Sequence, residues 1–268
     1  MTILSVRNMT FSYDQTVVLK DISVAFEKGE KVAIIGQNGA GKTTLSKLLN
    51  GLLRPDQGSI TLFGDDICDK STSVISKHVG YSFQNPDDQI FHDTVKKEIA
   101  FGPENLRFDT QHAKQAIDNA IRLSGLTELL DTPPYNLPFS QRKFVTLASV
   151  IAMEPEIIIL DEPTAGQDKA GIQQLEKMIH TLSDTTIIVV THDMEFVARN
   201  FDRILVMANG QILSDSGAKE TFYNKPLMEK ANIEQPYLMS VVEEFLFQQD
   251  ITTVEAFRHR LKNGRIQQ

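Results

Sequence analysis

The sequence predicts an α/β fold with an antiparallel β part, a helical insertion and a short C-terminal helical region. Three observations predict it. Gly36-Gln37-Asn38-Gly39-Ala40-Gly41-Lys42-Thr43 fits G-x-x-x-x-G-K-[ST], and it stands between an apolar run at 31–35 and a helical stretch at 44–49. Apolar, β-branched runs at 156–160 and 185–190 are buried strands that end in polar residues suited to chemistry. Between 94 and 153 the period changes, with Val95/Ile99, Ala116/Ile117/Ala120/Ile121 and Val145/Ala148/Ser149/Ala152 recurring at three and four.

Taken in order, residues 3–7, 17–19 and 22–26 read as short strands, with a turn at 27–30. Phe11-Ser12-Tyr13 stands upstream of the glycine loop. Tyr13 either packs in the core, which the residues alone favour, or stacks on an adenine ring. Strand 31–35, the glycine loop and helix 44–49, which Gly51 can end, form the arrangement that cradles phosphate. Glycines let the backbone come close to the anion, and the helix N-terminus presents free N–H groups to it. Asn38, Gly39, Gly41, Lys42, Thr43 and Thr44 are the candidate nucleotide contacts. Lys42 would reach the β- and γ-phosphates, and the Thr43 hydroxyl would ligate Mg2+. The expected ligands are therefore ATP or a similar triphosphate, and Mg2+.

Runs at 59–63 and 79–83 are again strand-like, and the second ends at the polar stretch 84–89. Gln84, at the carboxyl end of that strand, either contacts Mg2+ or the attacking water, or belongs to an ordinary strand-ending loop. Pro103, Pro133-Pro134 and Pro138 divide the helical insertion, about 94–153, into pieces. Strand 156–160 then delivers Asp161 and Glu162 to its carboxyl end. Asp161 would bind the metal through water and Glu162 would orient the attacking water; a helix-capping turn is the alternative.

Strand 185–190 ends in Thr191-His192-Asp193, and a histidine there can hold the water together with Glu162 or sense the γ-phosphate. The other five of the six histidines lack such a setting. Runs at 202–207 and 211–213 read as a hairpin across Ala208-Asn209-Gly210. After Gly217 the pattern changes to a C-terminal helical region at 218–268, with a helix at 237–246 and a final one that Thr253 would cap, running through Phe257 and Leu261. The closing Arg258, Arg260, Lys262 and Arg265 read better as a solvated face than as a binding patch.

Composition narrows the classes further. The 268 residues are 41% hydrophobic, and no apolar run approaches the ~20 residues a membrane-spanning helix needs. A strand-like start predicts no signal peptide, and one cysteine, Cys68, excludes an internal disulfide and suits a reducing cytoplasm. A net charge of −8 argues against nucleic acid as partner, because phosphate backbones want a basic face.

As an ordered set these motifs resemble the ATPase subunit of ABC transporters, whose core is a P-loop NTPase fold, and the match covers 1–217. The resemblance implies that Tyr13 is the adenine-stacking aromatic, 36–43 is Walker A, Gln84 is the Q-loop glutamine, and Asp161-Glu162 closes Walker B. It also makes Thr164-Ala165-Gly166-Gln167-Asp168 the D-loop and His192 the switch histidine. Three stretches, at 82–91, 100–105 and 152–156, are similar to the energy-coupling-factor transporters, which import vitamins and transition-metal ions. That resemblance implies a peripheral subunit on the cytoplasmic face of the membrane. Its expected partners are a second ATPase, a transmembrane coupling protein and a substrate-capture membrane subunit.

One motif departs from the family. The signature Leu-Ser-Gly-Gly-Gln falls on Leu137-Pro138-Phe139-Ser140-Gln141, and Phe144 stands where the family usually has arginine. In ABC dimers this loop holds the partner's γ-phosphate through a serine hydroxyl and glycine N–H groups. Pro138 offers neither, and Phe139 puts bulk where glycine allows close approach. The expectation is an ATP hydrolase paired with a different ATPase that carries an intact signature. A nucleotide-gated assembly subunit with little turnover, or an ABC ATPase outside transport, is the alternative.

Overall fold

The computed structural model describes residues 1–244, 251–252 and 256–259. The chain opens with a long antiparallel hairpin, β1 (Thr2–Tyr13) and β2 (Thr16–Glu27). The two short strands expected at 17–19 and 22–26 are thus one. The register shifts near Asp21, whose φ of 51° is left-handed, and this bulge interrupts the alternation that the sequence shows. Next come β3 (Lys31–Ile35) and α1 (Lys42–Leu49), the latter starting two residues earlier than expected. Strands β4 (Gln57–Leu62) and β5 (Asp65–Asp66) complete a four-stranded antiparallel sheet in the order β2-β1-β4-β5.

After α2 (Thr72–Ile75) and β6 (Val79–Ser82) the chain enters its helical insertion, α3 (Val95–Asn105), α4 (Thr110–Ser124) and α5 (Phe139–Ile151). Each start is local chemistry. The Thr94 hydroxyl accepts from Lys97 N at 3.3 Å, and Asp109 Oδ1 accepts from Gln111 N and His112 N at 3.1 and 2.9 Å. Pro103 does not break the insertion as expected. It lies inside α3, two residues before the helix ends at Asn105, so only the last turn feels the missing N–H. Pro138 sits at the N-cap of α5, where no intrahelical N–H is needed.

The second half supplies β7 (Ile157–Asp161), α6 (Lys169–Thr181), β8 (Thr186–Val190), α7 (Met194–Asn200), β9 (Arg203–Ala208) and β10 (Gln211–Ser216). Helices α6 and α7 were not expected from periodicity. Their signal is the caps, since Asp168 accepts from Gly171 N at 2.8 Å and Asp193 from Phe196 N at 2.9 Å. The main sheet has the order β10-β9-β3-β8-β7-β6, parallel except for β10.

Alternate residues of β3 divide between two cores. Val32 and Ile34 pack with α1 and the antiparallel sheet, whereas Ala33 and Ile35 pack with the helical insertion. The parallel sheet is therefore covered on both faces, and all five residues of β7 and of β8 are buried.

Past β10 follow α8 (Ala218–Phe222), α9 (Lys225–Ala231) and α10 (Tyr237–Glu244). Phe222, Met228, Ala231 and Met239 join the same core cluster as the helical insertion, so α8, α9 and α10 are packed against the preceding body of the chain. Phe245, Leu246, Thr253, Leu261 and the basic Arg260, Lys262 and Arg265 lie outside the described residues.

Candidate functional site

The parallel order β3-β8-β7 places three loops side by side at the strands' carboxyl ends. Ile34 is in register with Val190, and Val190 with Asp161. The glycine loop after β3, Thr191-His192 after β8 and Asp161-Glu162 at the end of β7 are neighbours for that reason.

Glycine is required in the loop by geometry. Gly36 has φ 149°, and a Cβ there would lie 2.1 Å from Met207 O. Gly41 enters α1 at φ 98° with no side-chain cap on the helix, which leaves its first N–H groups for an anion. Lys42 Nζ, buried, donates to Gly36 O at 2.7 Å and to Gln37 O at 3.0 Å. Burial holds its ammonium below the usual lysine range, partly offset by Glu162 and Asp161. Asn38 and Gly39 are exposed at the loop's tip, and Thr44 is buried in the first turn of α1.

Two of the three metal candidates, Thr43 and Asp161, meet. Thr43 Oγ1 donates to Asp161 Oδ1 at 3.3 Å. Tyr81 OH donates to Asp161 Oδ2 at 3.0 Å and lies 3.0 Å from Ser46 Oγ. Burial pushes the Asp161 carboxyl up against the hydrogen bonds from Tyr81 and Thr43. A buried carboxylate beside a hydroxyl is an oxygen donor set suited to a hard divalent cation, whose charge would offset that burial. Gln84 lies exposed just beyond β6, on the strand next to Asp161's own.

Glu162 is buried and has φ 49°, a left-handed conformation that non-glycine residues avoid. Its Oε2 lies 2.9 Å from His192 Nδ1 and accepts from Thr191 Oγ1 at 3.3 Å. Strain at such a residue is characteristic of functional sites. Tyr13 is half-exposed, with its ring edge-on to Phe11 at 4.9 Å, so it is not a core residue.

The signature stretch leaves Pro138 and Phe139 exposed but also contacts its own chain at residues 166–167. Gln167 Nε2 donates to Ser140 O at 3.0 Å, and the Phe139 ring lies against Gly166. Gln141 is half-buried and Phe144 is buried in the core. Asp168 serves as the N-cap of α6.

Sequence reasoning missed three contributors. Tyr81 was legible only as a strand residue. Lys143, buried one turn into α5, donates to the Glu162 main-chain carbonyl. The third is a cavity of about 780 Å3 lined by Gly36, Asn38, His192, Glu195, Gln235 and Tyr237, which joins the phosphate loop to the C-terminal region. No short-range pattern could have revealed these, since each joins residues distant in sequence.

A glycine loop at a helix N-terminus, a buried aspartate bonded to the Thr43 hydroxyl, and a paired glutamate and histidine on a doubly covered parallel sheet define the nucleotide-triphosphatase class. The sequence profile of the ABC transporter family matches residues 19–165, and the chain belongs to that family as the ATPase subunit of a membrane transporter, most like the energy-coupling-factor ATP-binding proteins.

Energy-coupling factor transporter ATP-binding protein EcfA of Methanocaldococcus jannaschii is 40% identical over 91% of this chain and 89% of its own. EcfA3 of Clostridium perfringens is 35% identical over 97% of this chain and 98% of its own. The solved structure of cbiO1 from Clostridium perfringens, part of the ABC transporter complex cbiONQ, superposes with a TM-score of 0.77 at 34% identity, covering 90% of this chain and 99% of that one. Among the described residues no helix is long and apolar enough to cross a membrane.

Proposed function

We propose that this subunit binds ATP and Mg2+ on the loop 36–43 and hydrolyses ATP to drive an energy-coupling-factor importer of a vitamin or transition-metal ion, from the cytoplasmic face of the membrane. Residues 1–217 are the ATPase domain and 218–268 an appendage to it. The observation that carries the reading is the Glu162–His192 pair, 2.9 Å apart and next to Lys42's loop. In this reading Lys42 and the N-terminus of α1 hold the phosphates, and Tyr13 stacks on the base. Thr43, Asp161 and Gln84 hold Mg2+, which neutralises charge developing on the phosphates when bound. Glu162 orients the water and His192 holds Glu162. Thr44 and Asn38 complete the cradle.

The partners are a second ATPase, a transmembrane coupling protein and a substrate-capture membrane subunit. The names of the relatives and the cbiONQ complex of the solved structure support such an assembly. The second ATPase is a different chain with an intact signature, because Pro138 and Phe139 give a partner's γ-phosphate neither hydroxyl nor close backbone. The same two residues favour one alternative, a nucleotide-gated assembly subunit with little turnover. Glu162→Gln in the complex purified from membranes separates the two. Turnover should fall at least ~100-fold with ATP binding near normal; turnover within a few-fold of wild type removes Glu162 from this role.

A further inference from the structure

The helix that begins at the altered signature sends a buried cation to the loop carrying Glu162. Lys143 is 3% exposed and stands four residues from Phe139, so both share one face of α5. Its Nζ donates to the main-chain carbonyl of Glu162 and lies 5.5 Å from the centroid of the Phe139 ring. That ring is itself wedged against the loop after Glu162. A Cβ at residue 166 would fall 2.8 Å from Phe139 Cδ1, and Gly166 has φ 74°. Phe139 thus backs the ammonium on one side while the Glu162 carbonyl receives it on the other.

Glu162 has the left-handed backbone that turns the chain at the end of β7, and its side chain meets Thr191 and His192. A donor on its carbonyl restrains the peptide leaving that turn. Taking a lysine out of water for one carbonyl is unfavourable, and an apolar residue would fill the volume at less cost. The Glu162 and Asp161 carboxylates both attract the ammonium through space, as they do Lys42 from the opposite loop. His192 Nδ1 lies 2.9 Å from the same Glu162 carboxylate.

We propose that Lys143 is a positioning residue for hydrolysis, holding the Glu162 carbonyl so that the carboxylate keeps its aim. Phe139, unfavourable for a partner's nucleotide, becomes the packing surface for this cation within its own chain. The inference rests on the reading of Glu162 as the water-orienting group.

The experiment uses the transporter complex purified from membranes, with Lys143→Met, Lys143→Arg, Lys143→Gln, Glu162→Gln and the Lys143→Met/Glu162→Gln double variant. Lys143→Met should lower kcat by ~10-fold or more, since misplacement on the order of 1 Å costs up to ~100-fold, while KM for ATP stays within about two-fold. Arginine, which keeps charge and donor, should restore most of kcat, and glutamine, which keeps only a donor, part of it. The double variant should be no slower than Glu162→Gln alone, because Lys143 acts through Glu162.

Full kcat in Lys143→Met overturns the inference, as do additive losses in the double variant. If Lys143→Met fails to assemble, Lys143→Gln carries the test, and its kcat at wild-type level with Lys143→Arg no better overturns it equally. Glu162→Gln with normal turnover overturns instead the reading on which the inference stands.

Discussion

The Glu162 carboxylate is buried, yet the His192 imidazole 2.9 Å away is 68% exposed. One partner of the pair is fixed by the core and the other stands at the surface where a nucleotide or a second subunit can reach it. His192→Ala should therefore leave ATP affinity within a few-fold and lower kcat by ~10- to 100-fold, the scale of losing a group that aims a general base. Single-turnover hydrolysis and nucleotide-binding fluorescence measure the two separately.

Pro138 and Phe139 predict asymmetry. Each charged hydrogen bond lost to a γ-phosphate is worth about 1.5–3 kcal/mol, so a homodimer would be weakened at both composite sites and a heterodimer at only one. The strong site is then the one built on this chain's Lys42. Lys42→Ala here should abolish most ATPase activity of the complex, and the equivalent change in the partner should leave most of it. The reverse ranking, or full activity of this chain as a homodimer, contradicts the pairing.

Phe91 is the expected anchor for the membrane partner. It is 59% exposed and packs edge-on against Phe101 and His92, at centroid distances of 4.7 and 4.4 Å. An exposed aromatic cluster is suited to anchor a coupling helix. Phe91→Asp should release the subunit from membranes into the soluble fraction while ATP still binds, measurable by fractionation and nucleotide binding. Unchanged retention would rule out this placement.

Lys143 also predicts a pH dependence of stability. Burial holds its ammonium down at about 8, against the ordinary 10.5, despite attraction from Glu162 and Asp161. Between those values the unfolded chain keeps a proton that the folded chain has released, so stability rises with pH in that window. Relative to Lys143→Met, the wild type should gain on the order of 2 kcal/mol between about pH 8 and about pH 10, read from urea unfolding. Comparison with the variant cancels the similar contributions of Lys42 and Lys31, which are also held low by burial.

By itself the sequence determined the phosphate loop, the acid pair after a buried strand, the histidine after another, and the helical insertion. These are signals within a few residues, where apolar periodicity, glycines and caps act directly. It also exposed the altered signature, because Pro138 and Phe139 contradict a pattern of residue types. The merging of two short strands into β2, and the continuation of α3 through Pro103, depended on a bulge at Asp21 and a nearby helix end that local patterns misread.

Only the tertiary structure decided what those motifs touch. Register across β3, β8 and β7 brings Lys42, Glu162 and His192 together from positions far apart in the chain. The same packing sets Tyr81 on Asp161, Lys143 on the Glu162 carbonyl and Gln235 and Tyr237 beside the glycine loop. A buried hydrogen bond needs a donor and an acceptor a few ångströms apart, and residue spacing along the chain does not encode that distance until the sheet aligns its strands.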